Sequence, residues 1–170
     1  METILLNNGK NLPLEGFGVF QIADQTLCQQ AVLEALQEGY RLIDTAASYF
    51  NEEAVGRALR TSGLPRDEVF VTTKVWVQDF GESKTREAVL RSLEKLGLEY
   101  IDMVLLHQQM GDYYGAWRAL EALVQEGIIG TIGVSNFYPD RLAELCCTAA
   151  IPPAVNQTAC HPFHHRRHAL

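Results

Sequence analysis

The sequence of 170 residues predicts an α/β fold of the (β/α)8, or TIM-barrel, type, in one domain over residues 1–170. Short β-branched segments alternate with amphipathic helical patterns, which is typical of parallel strands joined by crossover helices. The strands are apolar on both faces, as in residues 103–106 (MVLL), and a sheet covered by helices requires this. Successive strand ends are separated by 23 to 33 residues, which favours a barrel over a doubly wound sheet, although periodicity alone does not decide between them.

The first predicted element is a β-hairpin, in which Thr3–Leu6 and Asn11–Leu14 flank the turn signal Asn8-Gly9. We expect this hairpin to close the bottom of the barrel. Six strands then follow: Gly16–Phe20, Arg41–Asp44, Val69–Lys74, Ile101–His107, Ile129–Val134 and Ala154–Gln157. The G-x-G at residues 16–18 lacks a third glycine and has no helix directly after it, so a Rossmann dinucleotide site has little support.

Five helical patterns separate the strands, and each carries a start or stop signal. Glycines end four of them, Ser83 is expected to cap the third, and Pro139 suits the first turn of the fifth. The patterns are Thr26–Glu38 before Gly39, Glu52–Arg60 before Gly63, Ser83 to Leu96 before Gly97, Tyr113 to Val124 before Gly127, and a helix beginning near Pro139.

Composition excludes several classes of protein. Fourteen basic against 21 acidic residues give a formal net charge of −7, which argues against binding to a nucleic-acid backbone. No apolar run approaches the roughly 18 residues of a membrane span, and the start of the chain lacks a signal peptide's basic residues, so we expect a cytoplasmic protein. The four cysteines form no C-x-x-C pair and are expected to be buried or half-buried free thiols, with no metal site.

Polar side chains stand where the predicted strands end, which is where parallel barrels carry their chemistry. Asp44, Lys74 and His107 end three successive strands, and Tyr49 follows Asp44 by five residues. Each alone is most often a cap or a surface residue, but together they can transfer a proton to a carbonyl group. Tyrosine is the acid, a lysine ammonium lowers its pKa, aspartate keeps the lysine charged, and histidine orients the carbonyl oxygen.

Five segments in collinear order resemble the aldo-keto reductases, over about Thr3 to Phe163. They are residues 41–52 (RLIDTAASYFNE), 72–76 (TTKVW), 105–107 (LLH), 132–137 (IGVSNF) and 155–157 (VNQ). Residues 111–121 (GDYYGAWRALE) are similar to the bacterial branch that includes the diketogluconate reductases.

The resemblance implies an NADPH-dependent enzyme that reduces small aldehydes or ketones. We expect it to be a monomer. It implies that Tyr49 protonates the carbonyl oxygen, that Asp44 and Lys74 tune Tyr49, and that His107 orients the substrate. Trp76 would line the substrate pocket. The cofactor contacts that it implies are Gly18, Val19, Phe20, Asp44, Ser135, Asn136 and Gln157.

The C-terminus departs from the family pattern. Six β/α units reach Gln157, and two more would need about 50 to 60 residues, but 13 residues follow, of which 164–170 (HHRRHAL) form an atypical tail. We therefore expect an incomplete barrel that can associate through its open sheet edges. The family's basic segment that binds the adenosine 2′-phosphate of NADPH is missing, so we expect this chain to bind NADPH weakly or not at all. The alternative to an active reductase is a truncated, inert remnant or a non-catalytic binding module of the same fold.

Overall fold

The computed structural model of this protein describes residues 2–163, so the atypical tail predicted for 164–170 lies outside the described residues. The strands in this range are β1 Thr3–Leu5, β2 Asn11–Pro13, β3 Phe17–Gly18, β4 Leu42–Asp44, β5 Phe70–Val75, β6 Ile101–Leu106, β7 Ile129–Ser135 and β8 Asn156–Gln157. The helices are α1 Gln25–Gln37, α2 Glu52–Thr61, α3 Glu82–Leu96, α4 Tyr113–Gln125 and α5 Pro139–Thr148.

The predicted α/β barrel architecture is confirmed as a half-barrel of six parallel strands within residues 2–163. The strands β3 to β8 pair in the order of the sequence, each with the next. One row of the register runs Gly18, Asp44, Thr72, Met103 and Thr131. Because all six strands point the same way, their carboxyl ends and the loops that follow them meet at one end of the sheet.

The hairpin of β1 and β2 lies at the opposite end, as the sequence predicts. Asn8 Nδ2 donates to Thr131 Oγ1 (3.0 Å), near the start of β7, and Asn7 Nδ2 donates to the carbonyl oxygen of Pro153 (3.3 Å). Leu12 of β2 packs against the inner cluster of Phe70, Met103 and Leu105. The hairpin thus covers apolar side chains inside the barrel that water would otherwise reach.

The larger core lies between the sheet and the helices that cover it. Helices α2 and α3 approach so closely that a Cβ atom on Gly56 would stand 2.2 Å from the carbonyl oxygen of Leu96, so only glycine fits there. Buried aliphatic residues of the helices, such as Val32 and Leu120, join Val104 of β6 in one continuous cluster. Within residues 2–163 no helix has the length and apolarity needed to cross a lipid bilayer.

Two predictions about local structure are wrong. Helix α3 is preceded by Gly81 at φ 112°, with no side-chain cap, and Ser83 lies in the first turn, where its Oγ bonds to Glu87 instead (3.3 Å). The tight turn at positive φ sets the helix start there, and it needs glycine.

The cysteine prediction holds for Cys28, which is buried, but Cys146, Cys147 and Cys160 are exposed. Helix α5 buries Leu145 against the core and leaves the two following thiols on its outer side.

Candidate active site

A cavity of about 420 Å³ opens at the carboxyl ends of the strands. It lies where the sequence predicts the chemistry, because each barrel strand from β4 onward delivers a polar residue at or just beyond its end. Its lining residues are Phe20, Asp44, Tyr49, His107, Ser135, Asn136, Gln157, Thr158 and Ala159.

Asp44, which lines this cavity, forms an ion pair with Lys74, which does not. Lys74 is 2 % exposed, and its Nζ contacts Asp44 Oδ1 and donates to the carbonyl oxygen of Thr45 (3.0 Å). Burial lowers the pKa of Lys74, while the Asp44 carboxylate opposes that change. The second carboxylate oxygen, Asp44 Oδ2, accepts from Gln157 Nε2 at 3.0 Å. Both oxygens of Asp44 are thus engaged, which a buried charge requires.

Tyr49 ends a 3₁₀ turn, Ala47–Tyr49, in the loop after β4. The centroid of its ring lies 5.1 Å from Lys74 Nζ, 5.0 Å from the Phe20 ring and 5.7 Å from the His107 ring. Burial, and then the Asp44 charge, raise the pKa of Tyr49 to about 12. The sequence predicts a lowered pKa for Tyr49 beside Lys74; in this structure burial and the Asp44 charge prevail, so the pKa is raised instead and the phenol keeps its proton at neutral pH.

Asn51 fixes the loop that carries Tyr49 through buried and partly buried hydrogen bonds. Its side chain is fully buried; Oδ1 accepts from Thr45 Oγ1 (2.7 Å), and Nδ2 donates to the carbonyl oxygens of Val19 (2.9 Å) and Ile22 (3.1 Å). Phe50, between Tyr49 and Asn51, takes the left-handed conformation at φ 57°, which reverses the chain into α2. These contacts tie the loops after β3 and β4 together, so the position of the phenol is set by buried polar bonds.

His107 is uncharged at neutral pH, because burial and the nearby Lys74 charge lower its pKa to about 4. Ser48 Oγ lies 3.4 Å from Nδ1 of the ring. The Trp76 ring meets the His107 ring edge-on, with centroids 5.0 Å apart. A neutral imidazole can donate one hydrogen bond and accept another, which suits a residue that orients a carbonyl oxygen.

A polar wall beside Tyr49 is formed by the side chains of Ser135, Asn136 and Gln157. Asn136, at φ 60°, donates from Nδ2 to the carbonyl oxygen of His107 (3.1 Å) and to Ser135 Oγ (3.1 Å). Its backbone N–H donates to the carbonyl oxygen of Gln157 (2.9 Å), which joins the ends of β7 and β8. Hydroxyl and amide groups of this kind can both donate to and accept from an amide ligand.

Not every predicted residue lies on the cavity wall. Val19 is fully buried in the core, so its side chain does not reach the cavity. Gly18 is exposed at the end of β3 but does not line the cavity. Trp76 lines a neighbouring cavity of about 400 Å³ together with Ser48, and it meets the candidate site through its contact with His107.

Four residues of the site were not singled out in the sequence: Ser48, Asn51, Thr158 and Ala159. Ser48 and Asn51 flank Tyr49 in the same motif, and a polar residue beside a candidate acid is the signal that points to them. Thr158 and Ala159 simply follow β8, and their types carry no such signal. Among residues 2–163, no group of three or more His, Cys, Asp and Glu side chains is placed to hold a metal ion.

A sequence model described as the aldo/keto reductase family matches residues 16–170. The chain belongs to the aldo/keto reductase family. It is similar to a glyoxal reductase of Bacillus subtilis, with 46 % identity over 95 % of this chain and 59 % of the relative. It is also similar to a 9,11-endoperoxide prostaglandin H2 reductase of Trypanosoma cruzi, with 46 % identity over 96 % of this chain and 58 % of the relative. The chain thus spans about three fifths of these aldo/keto reductases.

Solved aldo/keto reductases share the fold over nearly all of this chain. An aldo/keto reductase from Brucella melitensis matches with a TM-score of 0.95 at 40 % identity, covering 99 % of this chain and 66 % of the solved one. An aldo-keto reductase from Bombyx mori, solved in complex with NADP, matches with a TM-score of 0.94 at 33 % identity, covering 99 % and 61 %. The family prediction is therefore confirmed; the closer assignment to the diketogluconate-reductase branch stays a prediction.

Proposed function

We propose that this aldo/keto reductase reduces the carbonyl group of small aldehydes or ketones to an alcohol, with NADPH as the reductant. The observation that carries the proposal is the convergence of Tyr49, Asp44 and His107 on one cavity, with the Lys74 ammonium paired to Asp44 and 5.1 Å from the centroid of the Tyr49 ring. Two relatives are named as reductases, of glyoxal and of prostaglandin H2, and a solved relative was crystallised with NADP. Glyoxal is a dialdehyde and supports the carbonyl class, whereas the 9,11-endoperoxide of prostaglandin H2 is reduced at an O–O bond and supports only reductase activity.

The residues at the cavity fit the nicotinamide end of the cofactor. Ser135, Asn136 and Gln157 supply the hydroxyl and amide groups that would bind its carboxamide. Phe20, which is 64 % exposed and lies against Tyr49, supplies an apolar face beside them. When bound, NADPH supplies the hydride that adds to the carbonyl carbon.

The protein's own part in the reaction is to supply and control one proton. Tyr49 donates its phenolic proton to the carbonyl oxygen as that oxygen becomes an alkoxide, so the product is the neutral alcohol and Tyr49 is left as a phenolate. The Lys74 ammonium, beside the ring, stabilises this phenolate until solvent returns the proton. Asp44 keeps Lys74 charged in a position that is 2 % exposed.

His107 has a separate role in this scheme. Its pKa of about 4 leaves the ring neutral, so it donates an N–H to the carbonyl oxygen without competing with Tyr49 as an acid. The hydrogen bond fixes the carbonyl oxygen near the phenol, and correct orientation is worth a large part of the barrier in such reactions.

The test compares Tyr49→Phe with the wild type in NADPH-dependent reduction of a small aldehyde, followed by loss of NADPH absorbance. Removing the acid while keeping the ring should lower kcat by about 10²- to 10⁴-fold and leave NADPH binding unchanged. Tyr40→Phe is the matched control, because Tyr40 precedes β4 at the amino end of that strand. A Tyr49→Phe variant that keeps kcat within a few fold would refute the role of the phenol.

The same assay separates the reductase from the non-catalytic alternative. A wild-type protein that binds NADPH but turns over none of a panel of aldehydes would be a binding module of this fold. The cytoplasmic location and the monomeric state expected from the sequence stay predictions.

A further inference from the structure

Ser48 is the residue next to Tyr49, and its hydroxyl faces His107. Its Oγ lies 3.4 Å from His107 Nδ1 in a partly buried contact. Within residues 2–163 this is the hydrogen bond that the His107 ring makes to a side chain; the other bonds of the residue use its backbone, namely N–H to Val75 and the carbonyl oxygen from Asn136. Nδ1 is thus engaged by the protein, and Nε2 is the nitrogen left for a ligand.

The position of the single ring proton decides what His107 can do. A neutral imidazole carries its proton either on Nδ1 or on Nε2, and the partner of one nitrogen sets the state of the other. His107 can donate to a carbonyl oxygen only if the proton is on the nitrogen that faces the ligand. The Trp76 ring and the Asn136 amide hold the residue in place, but neither contacts a ring nitrogen, so neither selects a tautomer.

We propose that Ser48 is a positioning residue: its hydroxyl donates to Nδ1 of His107 and thereby keeps the ring proton on Nε2, directed to the substrate's carbonyl oxygen. No bond to the substrate is assigned to Ser48 itself. The kinetic part of the inference rests on the proposed function, whereas the tautomer is a property of the protein alone.

The charges around the ring agree with this arrangement. Lys74 disfavours a charged imidazole and Asp44 favours one, and the lysine effect together with burial prevails, so the ring stays neutral. A serine hydroxyl can donate to Nδ1 or accept from it, so the contact fits either tautomer. A carbonyl oxygen only accepts, so a ring that binds it through Nε2 carries its proton there and leaves Nδ1 to accept from Ser48. Removing the hydroxyl removes a bond that exists only in the neutral form, so the pKa of His107 should rise in Ser48→Ala.

The direct test is ¹⁵N NMR of the histidine ring nitrogens in the purified protein at neutral pH, with the His107 signals assigned by their loss in His107→Gln. In the wild type, Nδ1 should give the shift of an unprotonated nitrogen and Nε2 that of a protonated one. Ser48→Ala should increase the fraction protonated at Nδ1, and Ser48→Thr, which keeps a hydroxyl, should restore the wild-type ratio. Ser83→Ala, whose hydroxyl bonds to Glu87 on the surface of α3, is the matched control and should change nothing.

Kinetics supply the second readout. Ser48→Ala should lower kcat about 3- to 10-fold, the size expected for one hydrogen bond, and Ser48→Thr should recover most of it. A wild-type ring protonated at Nδ1, or a tautomer ratio that is the same in Ser48→Ala, overturns the inference. Because the NMR result needs no turnover, an inactive wild-type protein would refute the proposed function without contradicting the tautomer assignment.

Discussion

Replacing Asp44 by asparagine should destabilise the protein by leaving a buried lysine without its counter-charge. Lys74 is 2 % exposed, and its ammonium would keep only the carbonyl oxygen of Thr45 and the new amide oxygen as partners. The size of the loss follows from the contact. Two unit charges about 3 Å apart attract by about 5 kcal/mol at an effective dielectric constant of 20.

Measured losses on removing one partner of a buried pair are about 3–5 kcal/mol. Asp44 is 19 % exposed and asparagine still accepts a hydrogen bond, so the expected loss is at the lower end, about 3 kcal/mol at neutral pH.

This loss should shrink as the pH rises. Burial lowers the pKa of Lys74, and the Asp44 charge opposes that effect, so the variant lowers the pKa further. Between the lowered pKa of the folded state and the value of about 10.4 in the unfolded chain, the unfolded state binds more protons. Stability therefore rises with pH in this window, and the window begins at a lower pH in Asp44→Asn than in the wild type.

The assay is urea unfolding of both proteins near about pH 6 and about pH 10, so that the higher pH lies close to the upper end of that window. Asp44→Asn/Lys74→Met, which removes the buried charge as well, should recover at least half of the loss. The reasoning is wrong if the single variant loses less than about 1 kcal/mol, if its loss is the same at both pH values, or if the double variant is no more stable than the single one.

Two further predictions concern the scaffold of the site. Asn51→Ala removes three buried or partly buried hydrogen bonds, leaves Val19 only its bond from the Ile22 N–H, and takes the Asn51 partner from the Ile22 carbonyl oxygen. It should cost about 2–4 kcal/mol by urea unfolding, and a loss below about 1 kcal/mol would contradict the bonding described. Gly56→Ala drives a methyl group into the carbonyl oxygen of Leu96 and should cost about 1–3 kcal/mol or more, whereas unchanged stability would show that α2 and α3 can separate freely.

The position of polar residues at the carboxyl ends of parallel strands accounts for most of the site that the sequence predicts correctly. Parallel strands in register bring their carboxyl ends together, so Asp44, Lys74 and His107 had to meet once the strands were recognised. Tyr49 follows because the loop after β4 is short. The hairpin was readable for a different reason: Asn8-Gly9 specifies its turn locally.

The remaining features depend on packing, which residue types along the chain do not encode. The pKa of Tyr49 is raised because burial and the Asp44 charge act on it, and neither the burial nor the distances can be derived from the motif. Cys146 and Cys147 sit in an apolar stretch, but α5 turns only Leu145 fully inward. Ser83 has the chemistry of a cap, yet Gly81 allows the chain to turn two residues earlier.

The bond from Gln157 to Asp44 also has a consequence for the order in which the protein is made. The two residues are 113 positions apart in the chain. A ribosome adds about 5 to 20 residues per second, so the amide of Gln157 emerges about 6 to 23 s after the carboxylate that it will bind. During that interval the nascent chain can pair Lys74 with Asp44, but the second carboxylate oxygen must be satisfied by water. The site is therefore completed by β8, the last strand within residues 2–163, and a pause in translation before β8 would prolong the lifetime of a chain that has Lys74 and Asp44 paired but lacks the Gln157 amide.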